Sequence, residues 1–229
     1  MDYIVNGFYE AIKLIFSFDS ELYEIIGLSV FVSSSAVIIS VLFSIPMAVT
    51  LGIKEFIGKE IFARLMYTLM GIPSVLVGLL VAITLSRRGP LGILGLMYTP
   101  KAMIIAQFVL ITPLMMGLIF TIVRKRGKEI ERAGRLLGAR NIHLILLIIR
   151  ELKVEIMMAV LTAFSRAISE VGAVMIVGGN IKNHTRVITT SIVMFNSMGD
   201  YELAIALGII LLLISLIINS LLYRYKEGG

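Results

Sequence analysis

The sequence predicts an all-α integral membrane protein. It has about five transmembrane helices, an N-terminal amphipathic helix and one charged cytoplasmic helix set between spans. Composition is the first observation behind this: 58% of the 229 residues are hydrophobic and only 16% are charged, with a mean hydropathy of +0.97. Soluble domains are about 45–50% apolar and about 25% charged. The second is clustering, since five apolar runs approach or exceed the roughly 20 residues that cross ~30 Å of hydrocarbon.

The first 24 residues form a separate piece. Ile4, Phe8, Ala11, Ile12, Ile15 and Phe16 recur at helical spacing, which predicts an amphipathic helix. It lies on the membrane or a partner, or packs on the chain's own spans. Asp2, Glu10, Asp19, Glu21 and Glu24 stand there against one base, Lys13, so a cleavable signal with a basic start is excluded. Residues 25–229 form the transmembrane domain. Span one runs from about Ile25 to Leu51 with Pro46 near its end, and span two from about Ile61 to Leu85 with Pro73 inside. Span three, about Ala102 to Val123, carries Gln107, Thr112 and Pro113. Span four covers about Ile156 to Val177 and span five Leu203 to Tyr223. Proline inside a span predicts a bend, because it frees a carbonyl that neighbouring helices must satisfy.

The basic residues set the orientation. Lys54, Lys59 and Arg64 follow span one, nine bases from Arg124 to Lys153 follow span three, and Arg224 and Lys226 follow span five. That places 14 of the 21 Lys and Arg on one side and six (Lys13, Arg87, Arg88, Lys101, Lys182, Arg186) on the other, with Arg166 inside a span. The positive-inside rule then puts the N-terminus outside and the C-terminus inside. Read this way, the net charge of +6 is a topology signal, not a nucleic-acid surface.

Several chemistries are excluded by inventory. The chain has no Cys and two His, which gives neither disulfides nor a thiolate or multi-His metal site. No nucleophile or acid cluster lies inside the spans, so a membrane-embedded enzyme is the weakest reading. The nearest approach to a phosphate loop, Gly52 to Glu60, has one residue too many between glycines and no Ser or Thr to hold magnesium. A secondary carrier would show internal repeats and more midplane charge than Arg166 and Glu170 supply.

The loop between spans three and four is the most informative segment. Glu131-Arg132-Ala133-Gly134-Arg135-Leu136-Leu137-Gly138 predicts a short charged helix ending at glycine, and Asn141 can cap a second helix. Two short helices meeting at Gly138 make an elbow, with Leu136, Leu137 and Ile142 among its apolar positions. This run resembles the coupling loop of ATP-binding-cassette importer permeases. Their motif reads Glu-Ala-Ala, three residues, Gly, nine residues, Ile, one residue, Leu-Pro. Glu131, Ala133, Gly138 and Ile148 are read as its counterparts, with Arg132 for the first Ala and Arg150-Glu151 for Leu-Pro. The resemblance implies that Glu131, Ala133, Gly138 and Ala139 engage a separate ATP-binding subunit, which holds ATP and magnesium, while this chain binds no cofactor.

Span four ends in Ser165-Arg166-Ala167-Ile168-Ser169-Glu170-Val171-Gly172-Ala173. Arg166 and Glu170 stand four apart, as do Ser165 and Ser169, so each pair is expected on one helix face. A charge inside a span faces a partner or a wet cavity. Arg166 reads equally as a pore-facing group for an anion or half of an internal ion pair, whereas Glu170, which repels anions, reads as structural. Beyond it, Gly178-Gly179-Asn180 predicts a tight turn with exposed amides. Lys182, His184, Arg186 and the hydroxyls of Thr185, Thr189 and Thr190 follow, and together with Arg87, Arg88 and Lys101 they offer donors and positive charge on the outer side. Docking of an acidic rim on a binding protein (through Asn180, Lys182, Arg186, Arg87 and Arg88) is favoured over capture of the transported ion.

The span-four run, with Gly-Gly-Asn-Ile and Thr-Arg-Val-Ile-Thr-Thr-Ser-Ile, resembles importer permeases of the tungstate–molybdate–sulfate group, and most nearly those for tungstate. This implies a homodimer in the cytoplasmic membrane of a bacterium or archaeon, two ATP-binding subunits and an extracytoplasmic oxyanion-binding protein. Sulfate or phosphate import remains the alternative within the class.

Overall fold

A computed structural model describes residues 2–17 and 20–227, with side chains for 3–17 and 20–220. Asp19, the side chain of Asp2, and the side chains of Arg224 and Lys226 used in the orientation count lie outside the described residues. Ten α-helices follow in order among the described residues: α1 Asp2–Phe16, α2 Ser20–Ile53, α3 Lys59–Met70, α4 Ser74–Leu85, α5 Pro100–Leu136, α6 Asn141–Glu151, α7 Lys153–Ile168, α8 Gly172–Gly178, α9 Ile188–Met198 and α10 Tyr201–Glu227. Among the described residues there is no strand. Three helices among the described residues are long and apolar enough to cross a membrane, or five if each of two bent pairs counts as one span.

Two spans are bent pairs: the bend expected at Pro73 in span two is present, whereas span four, which has no proline, is broken without that signal. Span two is α3 and α4, turned through 96°. At the end of α3 Gly71 N–H donates to Thr68 O and Ile72 N–H to Leu69 O, both at 3.2 Å. Ile72 leaves the helix because proline disfavours a helical residue before it, and Pro73 stands extended before α4. Pro46 and Pro113, by contrast, sit inside the continuous helices α2 and α5. Span four is α7 and α8, turned through 54°. Hydropathy reports only that a run is apolar, and a broken run buries as well as a straight one.

The chain divides into two compact units. The first holds Met1–Ser35, Pro73–Gln107 and Ala167–Gly229. Here α1 packs on α10: Asn6 Nδ2 donates to Glu202 Oε1 at 2.8 Å, and Tyr3 meets Tyr201 edge to face. Gly7 is required at the crossing, since a Cβ would lie 2.4 Å from Ile205 Cγ2. Of the placements open to the amphipathic helix, this contact is packing on the chain's own span. Its other face leaves Val5, Tyr9 and Phe16 exposed. Leu22, Ile25, Ile188, Leu207 and Ile210 form a buried core. The α4–α8 pair is closer still, with Gly78 against the backbone of Ala173.

The second unit holds Ala36–Ile72 and Phe108–Arg166. Ser40 Oγ and Thr112 Oγ1 lie 3.1 Å apart, and Tyr67 pairs with Thr121 at 3.0 Å. Hydroxyl pairs of this kind hold helices where lipid supplies no hydrophobic drive. Lys59, 7% exposed, reaches back to the end of α2 and donates to the Gly52 and Lys54 carbonyls, both at 2.9 Å. It satisfies two of the four carbonyls that any helix end leaves orphaned.

Candidate functional site

The elbow is built by α5, Gly138 and α6. It has two helices, as expected, but the first is not short: α5 runs unbroken for 37 residues, from span three to Leu136. Gly138 has φ +78°. Its N–H donates to Arg135 O at 3.0 Å and that of Ala139 to Gly134 O at 3.0 Å, the paired bonds of a Schellman cap, in which glycine relieves the left-handed strain. Gly134 lets α6 close on α5, because a Cβ there would sit 2.6 Å from Leu144 Cδ2. Leu144 and Ile148 are buried against this hinge. Glu131 accepts from Arg135 Nε and Nη2 at 2.9 and 2.7 Å, which stiffens the last turns of α5. Ala133 and Gly138 are exposed and Ala139 is half-buried.

The motif register needs one correction. Counted back from Gly138, Ala133 and Ile148 keep the spacing, but the Glu position is occupied by Arg132 and the second Ala by Gly134. Glu131 stands one residue early. The elbow also carries an apolar tip that the charge-based reading left without a role: Leu136 is 89% exposed, Leu137 87% and Ile142 60%. Two adjacent leucines just before a cap glycine are the sequence signal, since one helix end cannot bury both.

At the end of span four, the continuous helix expected to carry Arg166–Glu170 and Ser165–Ser169 ends between the members of each pair. The helix stops at Ile168, and Ser169 and Glu170 lie in the break before α8. Ser165 and Arg166, both half-buried, fall in the second unit; Ser169 and Glu170 fall in the first. Glu170 is 2% exposed. Its Oε1 accepts from Ala173 N at 3.0 Å, capping the first turn of α8, and its carbonyl accepts from Thr189 Oγ1 at 2.8 Å. It borders a cavity of about 10 Å³ with Ser29, Ser33, Gln107 and Thr189. That is room for about one water, less than a tetrahedral oxyanion needs. Gln107 Nε2 donates to Ala167 O at 3.0 Å, while its buried Oε1 has no partner among the described residues.

The tight turn forms, with Gly179 at φ +72° and Asn180 at +51°. The threonines expected to offer donors there are instead buried within the fold. Thr185 Oγ1 donates to Gly178 O at 2.6 Å. Thr190 Oγ1 donates to Asn180 Oδ1 at 2.9 Å, and Thr189 and Thr190 belong to α9, a helix too short and too polar at its start to register as a span. Lys182 and Arg186 both reach Glu21, at 2.7 and 3.4 Å. Arg87 and Arg88 are exposed in the turn after α4, and His184 is exposed. The structure therefore places Asn180, Lys182 and Arg186 together on one turn.

The elbow thus carries an exposed apolar tip on a chain of broken and unbroken apolar helices. Such a chain has relatives among known proteins. The chain is 59% identical over 227 residues to the tungstate uptake system permease protein TupB of Peptoclostridium acidaminophilum, covering 99% of this chain and 100% of that one. It is 34% identical to the protein of the same name from Campylobacter jejuni, over 99% and 95%. It is 29% identical to the molybdenum transport system permease protein ModB of Escherichia coli K12, over 90% and 95%. Residues 40–226 match the family of binding-protein-dependent transport system inner membrane components, and the chain is a multi-pass membrane protein belonging to that family.

Proposed function

We propose that this chain is the permease subunit of an ATP-driven importer whose substrate is tungstate, with molybdate the second reading. The observation that carries the proposal is the 59% identity to a tungstate uptake permease across both full lengths; the 29% identity to a molybdenum permease supports the second. A separate ATP-binding subunit holds ATP and magnesium and hydrolyses the nucleotide. Its grip on the elbow falls on Glu131, Ala133, Gly138 and Ala139, with Leu136 and Leu137 as the apolar tip. The stiff continuation of α5 supports a lever role, since a continuous hydrogen-bonded helix transmits displacement without absorbing it.

A second copy of the chain completes the path, because five helices alone make a thin wall and a two-fold axis creates a central passage. Ser165, Arg166, Ser169 and Glu170 border that passage, Arg166 as the group an anion passes and Glu170 as the cap of α8. Asn180, Lys182, Arg186, Arg87 and Arg88 receive an extracytoplasmic oxyanion-binding protein, with the N-terminus outside and the C-terminus inside. ATP binding draws the elbows together and opens the passage outward; hydrolysis resets it. Calorimetry of the cognate binding protein against tungstate, molybdate, sulfate and phosphate tests the substrate. Tungstate should bind most tightly, and a preference for sulfate or phosphate would overturn that choice.

A further inference from the structure

We propose that the cavity beside the elbow is a binding site for the headgroup of an anionic phospholipid. It measures about 410 Å³ and lies wholly within the second unit, between the end of α2 (Thr50, Ile53, Lys54), the last turns of α5 (Lys128, Arg132, Arg135) and the start of α6 (Asn141, Leu144, Ile145), with Glu55 and Glu131 on its rim. Three observations meet there.

The charge is unbalanced. Both acids are already engaged, Glu131 by Arg135 and Glu55 by Lys128 and Lys59. The hydrogen bond from Lys128 holds the Glu55 carboxyl below the usual carboxylate range, so Glu55 stays ionised and paired. Lys54 and Arg132 have no acid partner among the described residues, which leaves two positive charges facing the cavity. Second, α6 opens on it with no side-chain cap at Arg140. Its first amides and positive dipole end therefore add to the attraction for an anion. Third, one wall is apolar (Ile53, Leu144 and Ile145), and it adjoins the end of the 34-residue span α2.

A free inorganic anion would use the bases and the helix end but has no use for the apolar wall. A phospholipid uses all three: its phosphodiester meets Lys54, Arg132 and the α6 amides, and its glycerol and first methylenes lie along Ile53 and Ile145. Basic recesses at the inner ends of spans are where acidic headgroups settle. The occupied site would brace the base of the elbow against α2. Binding itself follows from this cavity alone; its assignment to the cytoplasmic leaflet rests on the orientation proposed above.

The test is native mass spectrometry of the full chain, titrated in detergent with phosphatidylglycerol or phosphatidylcholine. Phosphatidylglycerol should be retained at one molecule per chain and phosphatidylcholine should not. In the double variant Lys54→Gln/Arg132→Gln, retention should weaken about 30-fold, which is roughly 2 kcal/mol, from two bases at ~1 kcal/mol each. A control pair outside the cavity, Arg64→Gln/Lys125→Gln, should bind as the native chain does and shows that loss is not a general effect of removing charge. Equal retention of both lipids, undiminished retention in the double variant, or displacement by millimolar inorganic phosphate would each overturn the proposal. Because the readout involves neither ATP nor transport, its failure leaves the importer reading standing.

Discussion

Replacing Gly78 by Ala should destabilise the first unit, although the same change at Gly27 should not. Both glycines are helical, and Ala is favoured over Gly in a helix interior by ~1 kcal/mol. At Gly27 nothing lies within 4 Å of the added Cβ, so that gain survives. At Gly78 the new carbon would sit 2.7 Å from Ala173 Cα and 3.2 Å from both Ala173 O and Ile176 Cδ1. The nearest obstacle is backbone and cannot rotate away. Restoring a carbon–carbon contact of about 3.5–4.0 Å requires α4 and α8 to separate by roughly 1 Å. Overpacking of this kind costs about 1–3 kcal/mol. Separation also forfeits contacts along the whole crossing, because helices in lipid are held by close packing and not by exclusion from water. The net expectation is a loss of about 1–2 kcal/mol, or a midpoint lowered by roughly 2–8 °C. The chain has no Trp and no Cys, so neither intrinsic indole fluorescence nor thiol dyes can report unfolding. Size-exclusion of a fluorescent-protein fusion after stepwise heating gives the midpoint instead. A Gly78→Ala midpoint at or above that of the native chain would refute the packing argument. So would a fall at Gly27 matching that at Gly78.

Other perturbations test the remaining parts. Gly138→Trp should abolish ATP-coupled uptake while leaving membrane insertion intact, because φ +78° disfavours any L side chain and the tip is displaced; normal uptake would refute the coupling role. Leu137→Asp puts a charge on a side chain 87% exposed. It should leave the heat midpoint unchanged but weaken pull-down of the ATP-binding subunit at least tenfold. Glu170→Leu removes the acceptor for Ala173 N and should cost ~1–3 kcal/mol in the same heating assay; an unchanged midpoint would contradict the capping role. Lys59→Met leaves the Gly52 and Lys54 carbonyls without their donor, and the midpoint should fall by several degrees, with faster backbone hydrogen exchange at the end of α2.

The sequence by itself determined the class and the rough positions of the spans, because transfer of apolar residues into hydrocarbon is a sum over local composition and needs no partner. It also determined where the elbow turns: only glycine sits comfortably at φ +78°, so Gly138 marks its own cap. Charge counting located the bases but not the tip, since the exposure of Leu136 and Leu137 depends on where α6 folds back, and that is decided by Gly134 admitting Leu144. The breaks in spans two and four were equally invisible to hydropathy. Pro73 announced a bend, but Pro46 and Pro113 carried the same signal and lie in unbroken helices. What separates them is context: Gly71 stops α3 just ahead of Pro73, and α8 must lie on α4 through Gly78 and Ala173. Thr185 and the threonines of α9 show the same limit. Their hydroxyls looked like donors for an anion and are instead spent on Gly178, Glu170 and Asn180. Which polar atom meets which is a property of helices brought together from distant stretches of chain, and only the tertiary structure decides it.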